Sequence, residues 1–280
     1  YTAIFFNQQK NPYLSNAAVR KALTLAINRD ELAEKMGSQI TIIYGPILAG
    51  FVGYHPDIKK YNFNAAEAEK LLVGAGWKKI SRDGYNQTHP ENQTEQNVFW
   101  QKSDEILAIK LTTSDNPEPS LAATIIKKQW DDFGIQVATE LDSKDDLLIK
   151  IIDPRNYEAL LIGQIVGSDP DPYAFWHSSQ ILAPGANLAL YKNEKIDALL
   201  EEARKTANLD EREKKYIEFQ NILKEDAPAI FLYSPTYPYA ITPLMKGIAA
   251  TRITIPADRF DGIENWYLKT KRVIDFGKRK

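Results

Sequence analysis

Residues 106–139 read ILAIKLTTSDNPEPSLAATIIKKQWDDFGIQVAT, and this stretch decides the predicted fold. Residues 106–112 have the alternation of a strand, and residues 135–139 are a second, β-branched strand. Between them, Pro117 and Pro119 precede a stripe of apolar residues at helical spacing, which Gly134 closes: Ala122, Ile125, Ile126, Trp130 and Phe133. A strand, a helix and a strand within about 35 residues indicate the βαβ unit of an α/β sheet.

The flanking sequence repeats this alternation of helices and strands. Capping residues predict helices that begin near Ser15, near Asn28 with Glu31, and near Asn64 with Glu67. Two amphipathic helices are predicted further on, around residues 196–207 and 211–224. Strands are predicted where β-branched and apolar residues cluster, at 159–165, at 229–233 and at the start of 40–53. Residues 81–104 are polar and rich in turn formers, which indicates a hairpin or a surface excursion.

The composition excludes several classes of protein. The 280 residues carry 35 basic and 37 acidic side chains, so the strong positive charge of a typical nucleic-acid binder is absent. There is no cysteine, which excludes disulfide scaffolds, thiolate zinc sites and thiol catalysis. The three histidines, His55, His89 and His177, are far apart in sequence. We therefore expect no metal site, and no cofactor motif such as a Walker A loop or GxGxxG is present.

Two motifs suggest catalysis only weakly. Asp275-Phe276-Gly277 matches a kinase tripeptide, but the other kinase motifs do not accompany it. His177-Ser178-Ser179 could contribute to a hydrolytic triad, although no nucleophile elbow is present.

The pair Asp169 and Asp171, in the loop Gly167-Ser168-Asp169-Pro170-Asp171-Pro172, allows three interpretations. The two carboxylates could serve as the acid and base of a glycosidase, although such acids usually come from separate strands. Each could instead make Asx-turn hydrogen bonds to the loop backbone. In the third interpretation, one of them faces a cleft and receives a cationic group of a ligand.

Short segments in a fixed order carry a family resemblance. They are AVRKALTLAINRD (18–30), Gly45-Pro46, YNFN (61–64), EKLL (69–72), AGW (75–77), GIQV (134–137), RNYEA (155–159), Gly163 with the Asp-Pro-Asp-Pro loop, DALL (197–200), AR (203–204), ER (211–212), Tyr216 and EDAPAI (225–230). Their order and spacing resemble the C-terminal half of the family 5 extracellular solute-binding proteins, the peptide and nickel receptors of ABC importers.

The resemblance implies a periplasmic-binding-protein fold of the second type, in which a ligand lies between two α/β lobes. Residues 1–238 would be the second lobe, a mixed sheet flanked by helices. Residues 239–280 would be a tail that crosses back to a first lobe, which this sequence lacks together with a secretion signal. The implied protein is a receptor and not an enzyme. Its partners would be a peptide or another small solute, an importer permease and the missing first lobe, with no nucleic acid.

The resemblance also implies an extracytoplasmic location, with a membrane anchor in the missing N-terminal part. A glycoside hydrolase using Asp169 or Asp171 and a sensory ligand-binding module remain as alternatives. Peptide-binding members usually have Gly-Trp followed by an aspartate that binds the peptide's α-amino group. Here Gln164 follows Gly163, so Asp169 would take the amine and Trp176 could replace the indole wall. The ligand-binding residues expected are Asp169, Asp171, Gln164, Trp176, Tyr44 and Tyr233.

Overall fold

The computed structural model describes residues 1–37, 40–89, 91, 96–167, 171–249, 253 and 256–268. The chain divides into two compact units, Tyr1–Pro235 and Thr236–Lys280. The larger unit contains the predicted alternation of strands and helices. Its strands are β1 (Thr2–Phe6), β2 (Ile40–Ile42), β3 (Lys78–Ser81), β4 (Val98–Lys102), β5 (Glu105–Ile106), β6 (Ala108–Ser114), β7 (Gln136–Asp142), β8 (Ala159–Gly163) and β9 (Ala229–Pro235).

The helices of the larger unit connect these strands. They are α1 (Ala17–Leu25), α2 (Arg29–Met36), α3 (Ala65–Gly74), α4 (Arg82–Thr88), α5 (Pro117–Phe133), α6 (Lys144–Asp146), α7 (Tyr173–Trp176), α8 (Glu194–Lys205) and α9 (Leu209–Asp226). Six strands form one mixed sheet in the order β2-β9-β1-β8-β6-β7. Strand β6 is parallel to β7 and β8, whereas β1 is antiparallel to both β8 and β9. The predicted mixed sheet flanked by helices is therefore confirmed.

The decisive stretch folds as the βαβ unit β6-α5-β7. Pro117 occupies the first turn of α5, where its missing N–H is not needed. Gly134 ends the helix with a φ of +108° and donates its N–H to the Trp130 carbonyl at 3.0 Å. A Cβ at this position would lie 3.1 Å from the Trp100 ring, so both the backbone conformation and the packing favour glycine.

The sheet is covered on both faces, because its central strands send alternate side chains into two separate apolar clusters. On β1, Ile4 and Phe6 lie in the cluster with α1, α2, α3 and α5, which includes Trp130. Ala3 and Phe5 lie in the other cluster, with α8 and α9. The sheet therefore forms the middle of three layers.

Two local predictions need correction, and one helical stretch was not predicted. The first helix is capped by Asn16, whose Oδ1 accepts the Ala18 N–H at 2.8 Å, because Ser15 belongs to the preceding 3-10 turn. Residues 81–104 are more than a hairpin, since they contain α4 and lie within the three-stranded sheet β3-β4-β5. A helical stretch that was not predicted, α6 with the π-helical turn Leu147–Ile152, leads from β7 towards β8.

The second unit is small and contains little regular structure. Strand β10 (Met245–Lys246) pairs antiparallel with β11 (Tyr267–Leu268), and the rings of Phe260 and Trp266 lie 6.2 Å apart. Two 3-10 turns, Pro256–Phe260 and Ile263–Asn265, precede β11. Across the described residues of both units, no helix has the length and apolar character needed to cross a membrane.

Candidate functional site

The carboxyl ends of four strands meet at one edge of the main sheet. Strands β6, β7 and β8 are parallel, and β9 has the same direction because both β8 and β9 are antiparallel to β1. We call this region the carboxyl edge, formed by the ends of β6 to β9 and the residues that follow them. Open α/β sheets bind ligands in the crevice outside this edge, because loops and helix N-termini converge there.

Thr2 brings two of the predicted ligand-binding residues close together at the carboxyl edge. It pairs with Gly163 of β8 on one side and with Tyr233 of β9 on the other. Tyr233 and the segment Gly163-Gln164 are therefore separated by one strand, or roughly 10 Å. The register of β1 and β9 shifts at Thr2, which leaves Leu232 as the extra residue of a bulge. Such bulges re-aim neighbouring side chains at the edges of sheets.

The phenol of Tyr233 is buried and has no hydrogen-bond partner among the described residues. Burial raises the pKa of this phenol, and the negative charge of Glu118 raises it further. The group is therefore a neutral hydroxyl at every physiological pH. The hydroxyl lies beside the side chains of Glu118 and Thr2, both of which act on its pKa.

Gln164 follows β8 directly and is only 7% exposed. Its Oε1 accepts the Tyr1 hydroxyl at 2.6 Å, and its Nε2 donates to the Ala186 carbonyl at 2.9 Å. Both ends of the amide are therefore engaged within the chain. The Gln164 side chain therefore connects the end of β8 to Tyr1 and to Ala186 by hydrogen bonds.

Asp171 is held by two structural interactions. Its Oδ1 accepts the Tyr173 N–H at 3.1 Å, which is the Asx-turn expected for this loop. Its Oδ2 lies 2.7 Å from Nε and 2.5 Å from Nη2 of Arg204. The guanidinium also lies 3.7 Å from the centre of the Tyr173 ring. Both carboxylate oxygens of Asp171 are therefore engaged within the chain. Asp169 lies outside the described residues.

Tyr44 lies away from the carboxyl edge, whereas the Trp176 indole lies beside the Tyr1 hydroxyl, which donates to Gln164. The Trp176 indole is 1% exposed and packs against Phe5 and Phe231, with ring centres 6.0 and 5.8 Å apart. Tyr44 follows β2, which is separated from β8 by β9 and β1, or roughly 14 Å across the strands. Their roles in ligand binding stay predictions.

Sequence reasoning missed Glu118. This exposed residue lies in the first turn of α5, directly after the end of β6, and its charge acts on Tyr233. The sequence could have predicted this position for Glu118. An acidic residue between a strand and the next helix of a βαβ unit lies at the carboxyl edge. Its nearness to Tyr233 depends on the order of the strands.

His177 caps the 3-10 turn Ser178–Gln180. The Nδ1 atom of His177 accepts the backbone N–H of Ser179 at 3.0 Å and lies 2.8 Å from the Ser179 hydroxyl. The Asp197 carboxylate accepts the N–H and the hydroxyl of Ser178. Nε2 of His177 lies 3.4 Å from Glu201 and 3.9 Å from Asp197. No group of three or more His, Asp or Glu residues in the described part is arranged to hold a metal ion.

Residues 1–183 match the family described as Bacterial extracellular solute-binding proteins, family 5 Middle. The chain belongs to this family. Membership of family 5 agrees with the three-layer mixed α/β fold and confirms the resemblance seen in the sequence. The family description names extracellular solute binding.

Individual family 5 relatives cover nearly all of this chain. The oligopeptide-binding protein AppA of Bacillus subtilis is 26% identical over 96% of the chain and 47% of its own length. The dipeptide-binding protein of Escherichia coli is 22% identical over 86% of the chain and 42% of its own length. The structure of AppA from Bacillus subtilis in complex with a nonapeptide superposes with a TM-score of 0.73 at 25% identity. That match covers 96% of this chain and 51% of AppA. The chain spans about half the length of these relatives.

Proposed function

We propose that this chain is the second lobe of an extracytoplasmic receptor that captures peptides or peptide-like solutes for an ABC importer. The observation that carries the proposal is the family 5 match over residues 1–183, together with relatives that bind oligopeptides and dipeptides. The length of those relatives supports a longer protein with a first lobe. In that protein, the ligand would lie between the carboxyl edge and the first lobe.

The chemistry of the carboxyl edge favours a ligand with a cationic amine. Glu118 is exposed there, and the chain order brings Asp169 to the loop that follows β8. The Tyr233 hydroxyl supplies a neutral hydrogen-bonding group beside Glu118. A carboxylate that accepts from an ammonium group stabilises a complex by about 1.5–3 kcal/mol. Extended peptides suit such a site, because their backbone and charged ends can be matched separately.

The remaining parts of the proposal concern the longer protein. Residues 239–280 would cross back to the first lobe, and closure of the lobes would exclude water from the ligand. A permease would receive the solute from the closed receptor. Attachment of the longer protein to the membrane, expected from the resemblance, stays a prediction.

The test uses the longer protein with both lobes. Mass spectrometry should identify peptides that co-purify with it, and calorimetry with synthetic forms of those peptides should give their affinity. Glu118→Gln should weaken binding about tenfold, corresponding to about 1.4 kcal/mol. Glu211→Gln, in the first turn of α9, is the matched control and should leave affinity unchanged.

Two results would contradict the proposal. One is the absence of any peptide among the co-purified molecules, together with no heat of binding for a peptide mixture. The other is turnover of chromogenic glycosides, which would support the hydrolase alternative. Genes for a kinase or regulator beside this gene, in place of permease genes, would favour the sensory alternative.

A further inference from the structure

A buried cluster of cations lies beside strand β9, where the edge strand β2 stops. Strand β2 ends at Ile42, which pairs with Tyr233, and Ile43 still donates to the Leu232 carbonyl. The next free carbonyl, that of Phe231, accepts a hydrogen bond from Nε of Arg29 at 3.0 Å. The Arg29 side chain therefore supplies the hydrogen-bond donor that a longer β2 would have supplied to β9. It is 3% exposed.

Tyr61 joins Arg29 to a second buried cation. The carbonyl of Tyr61 accepts from Nη1 of Arg29 at 3.0 Å. The ring of Tyr61 lies 4.9 Å from Nζ of Lys224 and 5.0 Å from Nζ of Lys59. Lys224 is 5% exposed, whereas Lys59 is exposed. We call Arg29, Lys224 and Tyr61 the cation cluster.

No carboxylate among the described residues pairs with either buried cation of this cluster. The adjacent Glu225 is engaged elsewhere, at 2.7 Å from Lys59 and 3.1 Å from Lys21. Nη2 of Arg29 and the hydroxyl of Tyr61 are buried and have no hydrogen-bond partner in the described part of the chain. The rings of Tyr44 and Tyr61 face Arg29 and Lys224 at 5.2 and 4.9 Å. Burial of a cation without a counter-charge costs several kcal/mol, which an aromatic ring offsets only in part.

The electrostatics agree with a missing negative charge. Burial lowers the pKa of Lys224 to about 7, and the neighbouring charges of Arg29 and Lys59 lower it further, while Glu225 opposes them. Burial also lowers the pKa of Arg29 to about 10. Burial therefore destabilises the charged form of both residues.

We propose that the cation cluster binds one small inorganic anion, held between Nη2 of Arg29 and the ammonium of Lys224. The cluster belongs to the interior of the larger unit. Arg29 comes from the layer of α2, and Lys224 comes from α9 in the opposite layer. The anion would hold the two layers together at the sheet edge. This site is separate from the carboxyl edge and does not depend on the proposed transport function.

The donors define the class of anion. One guanidinium nitrogen, one ammonium and one phenol supply few N–H and O–H groups. Nη2 of Arg29 and the Tyr61 hydroxyl are buried atoms, Lys224 as a residue is 5% exposed, and Lys59 lies beside the Tyr61 phenol. A monovalent ion such as chloride needs no more donors than these. Phosphate or sulfate would bury two charges and four oxygens, which these donors cannot satisfy.

Bromide replaces chloride in such sites and scatters X-rays anomalously, so it provides a direct test. Crystals of the 280-residue chain grown with sodium bromide should show an anomalous peak within about 3.5 Å of Nη2 of Arg29. Titration with chloride at constant ionic strength, with gluconate as the replaced anion, should raise the melting temperature.

Variants separate this site from general salt effects. Lys224→Met should remove the bromide peak and weaken chloride stabilisation at least tenfold. Lys215→Met is the matched control, since it removes a lysine of the same helix that pairs with Glu202. It should keep both effects. An empty cluster in the bromide crystals, or a water without anomalous signal, would overturn the proposal even if Lys224→Met failed to fold.

Discussion

Arg204 holds Asp171 from one side while Tyr173 lies against its guanidinium. The carboxylate oxygen Oδ2 is 2.7 Å from Nε of Arg204, and the guanidinium carbon is 3.7 Å from the centre of the Tyr173 ring. This pair holds Asp171, the first described residue after residue 167. It therefore connects α8, which carries Arg204, to Asp171.

The coupling between Asp171 and Arg204 can be measured by a double-mutant cycle. Asp171→Asn, Arg204→Met and the double variant should give a coupling of about 0.5–1 kcal/mol in the free energy of unfolding, because the pair is half exposed. Lys35 and Glu31, a pair of similar exposure on α2, provide the control cycle. A coupling no larger than in the control would show that the Tyr173 contact adds nothing.

Asp169→Asn should weaken peptide binding by the longer protein about ten- to a hundredfold, with little change in melting temperature. The reason is the loss of a charged hydrogen bond to the ligand's amine. Asp171→Asn is the matched comparison and should lower the melting temperature more than the affinity, since Asp171 serves the loop. Calorimetry and thermal melting of both variants decide this. The opposite pattern would make Asp169 a turn residue.

Tyr233→Phe should leave the stability of the chain unchanged or raise it slightly, because the removed hydroxyl has no partner. Tyr157→Phe is the matched control, since the Tyr157 hydroxyl donates to the Leu188 carbonyl at 2.6 Å. That variant should lose about 1 kcal/mol in urea unfolding. Equal losses in both variants would show that the Tyr233 hydroxyl has a partner within the chain.

The lowered pKa of Lys224 should make the free energy of unfolding depend on pH in a buffer without small anions. Its pKa is about 7 in the folded chain and close to the ordinary 10.5 in the unfolded chain. Between these values the unfolded chain binds more protons, so the free energy of unfolding rises with pH. From pH 7 to 10 the contribution of this lysine is roughly 2–4 kcal/mol. Arg29, Lys59, Glu225 and the Tyr61 ring are the charged and titratable groups that face it.

Urea unfolding at a series of pH values measures this contribution. Lys224→Met should reduce the rise between pH 7 and 10 by that amount, whereas Lys215→Met should retain it. Identical pH profiles for the wild type and Lys224→Met would mean that Lys224 keeps its ordinary pKa.

Gly53 is required by packing, and Gly37 is required by backbone conformation alone. Both have positive φ, +85° and +79°. A Cβ at Gly53 would lie 2.5 Å from Cβ of Tyr216, while a Cβ at Gly37 would meet nothing within 4 Å. Gly37→Ala should cost about 1–2 kcal/mol, and Gly53→Ala about 2–5 kcal/mol. Equal losses in urea unfolding would contradict the packing argument.

Local signals in the sequence determined the elements of this fold. The caps Asn28 and Asn64, the proline at the start of α5 and the glycine at its end act within one turn of the chain. Their geometry is set by neighbouring residues, so the pattern predicts it. The βαβ unit and the two late helices were predicted correctly for the same reason. Asn16 and not Ser15 caps α1. The two residues are adjacent, and both have side chains that can cap a helix, so the sequence pattern does not distinguish them.

The tertiary structure alone decided which of these residues meet. Tyr233 and Gly163 lie on either side of Thr2 because β1 pairs between β8 and β9. Arg29 and Lys224 both contact Tyr61, and Arg29 is placed there because β2 ends early and leaves a carbonyl of β9 for it. Strand order and strand length follow from the burial of both faces of the sheet. The free energy of this burial is a sum over many residues that are distant in sequence. No local sequence pattern therefore predicts the strand order.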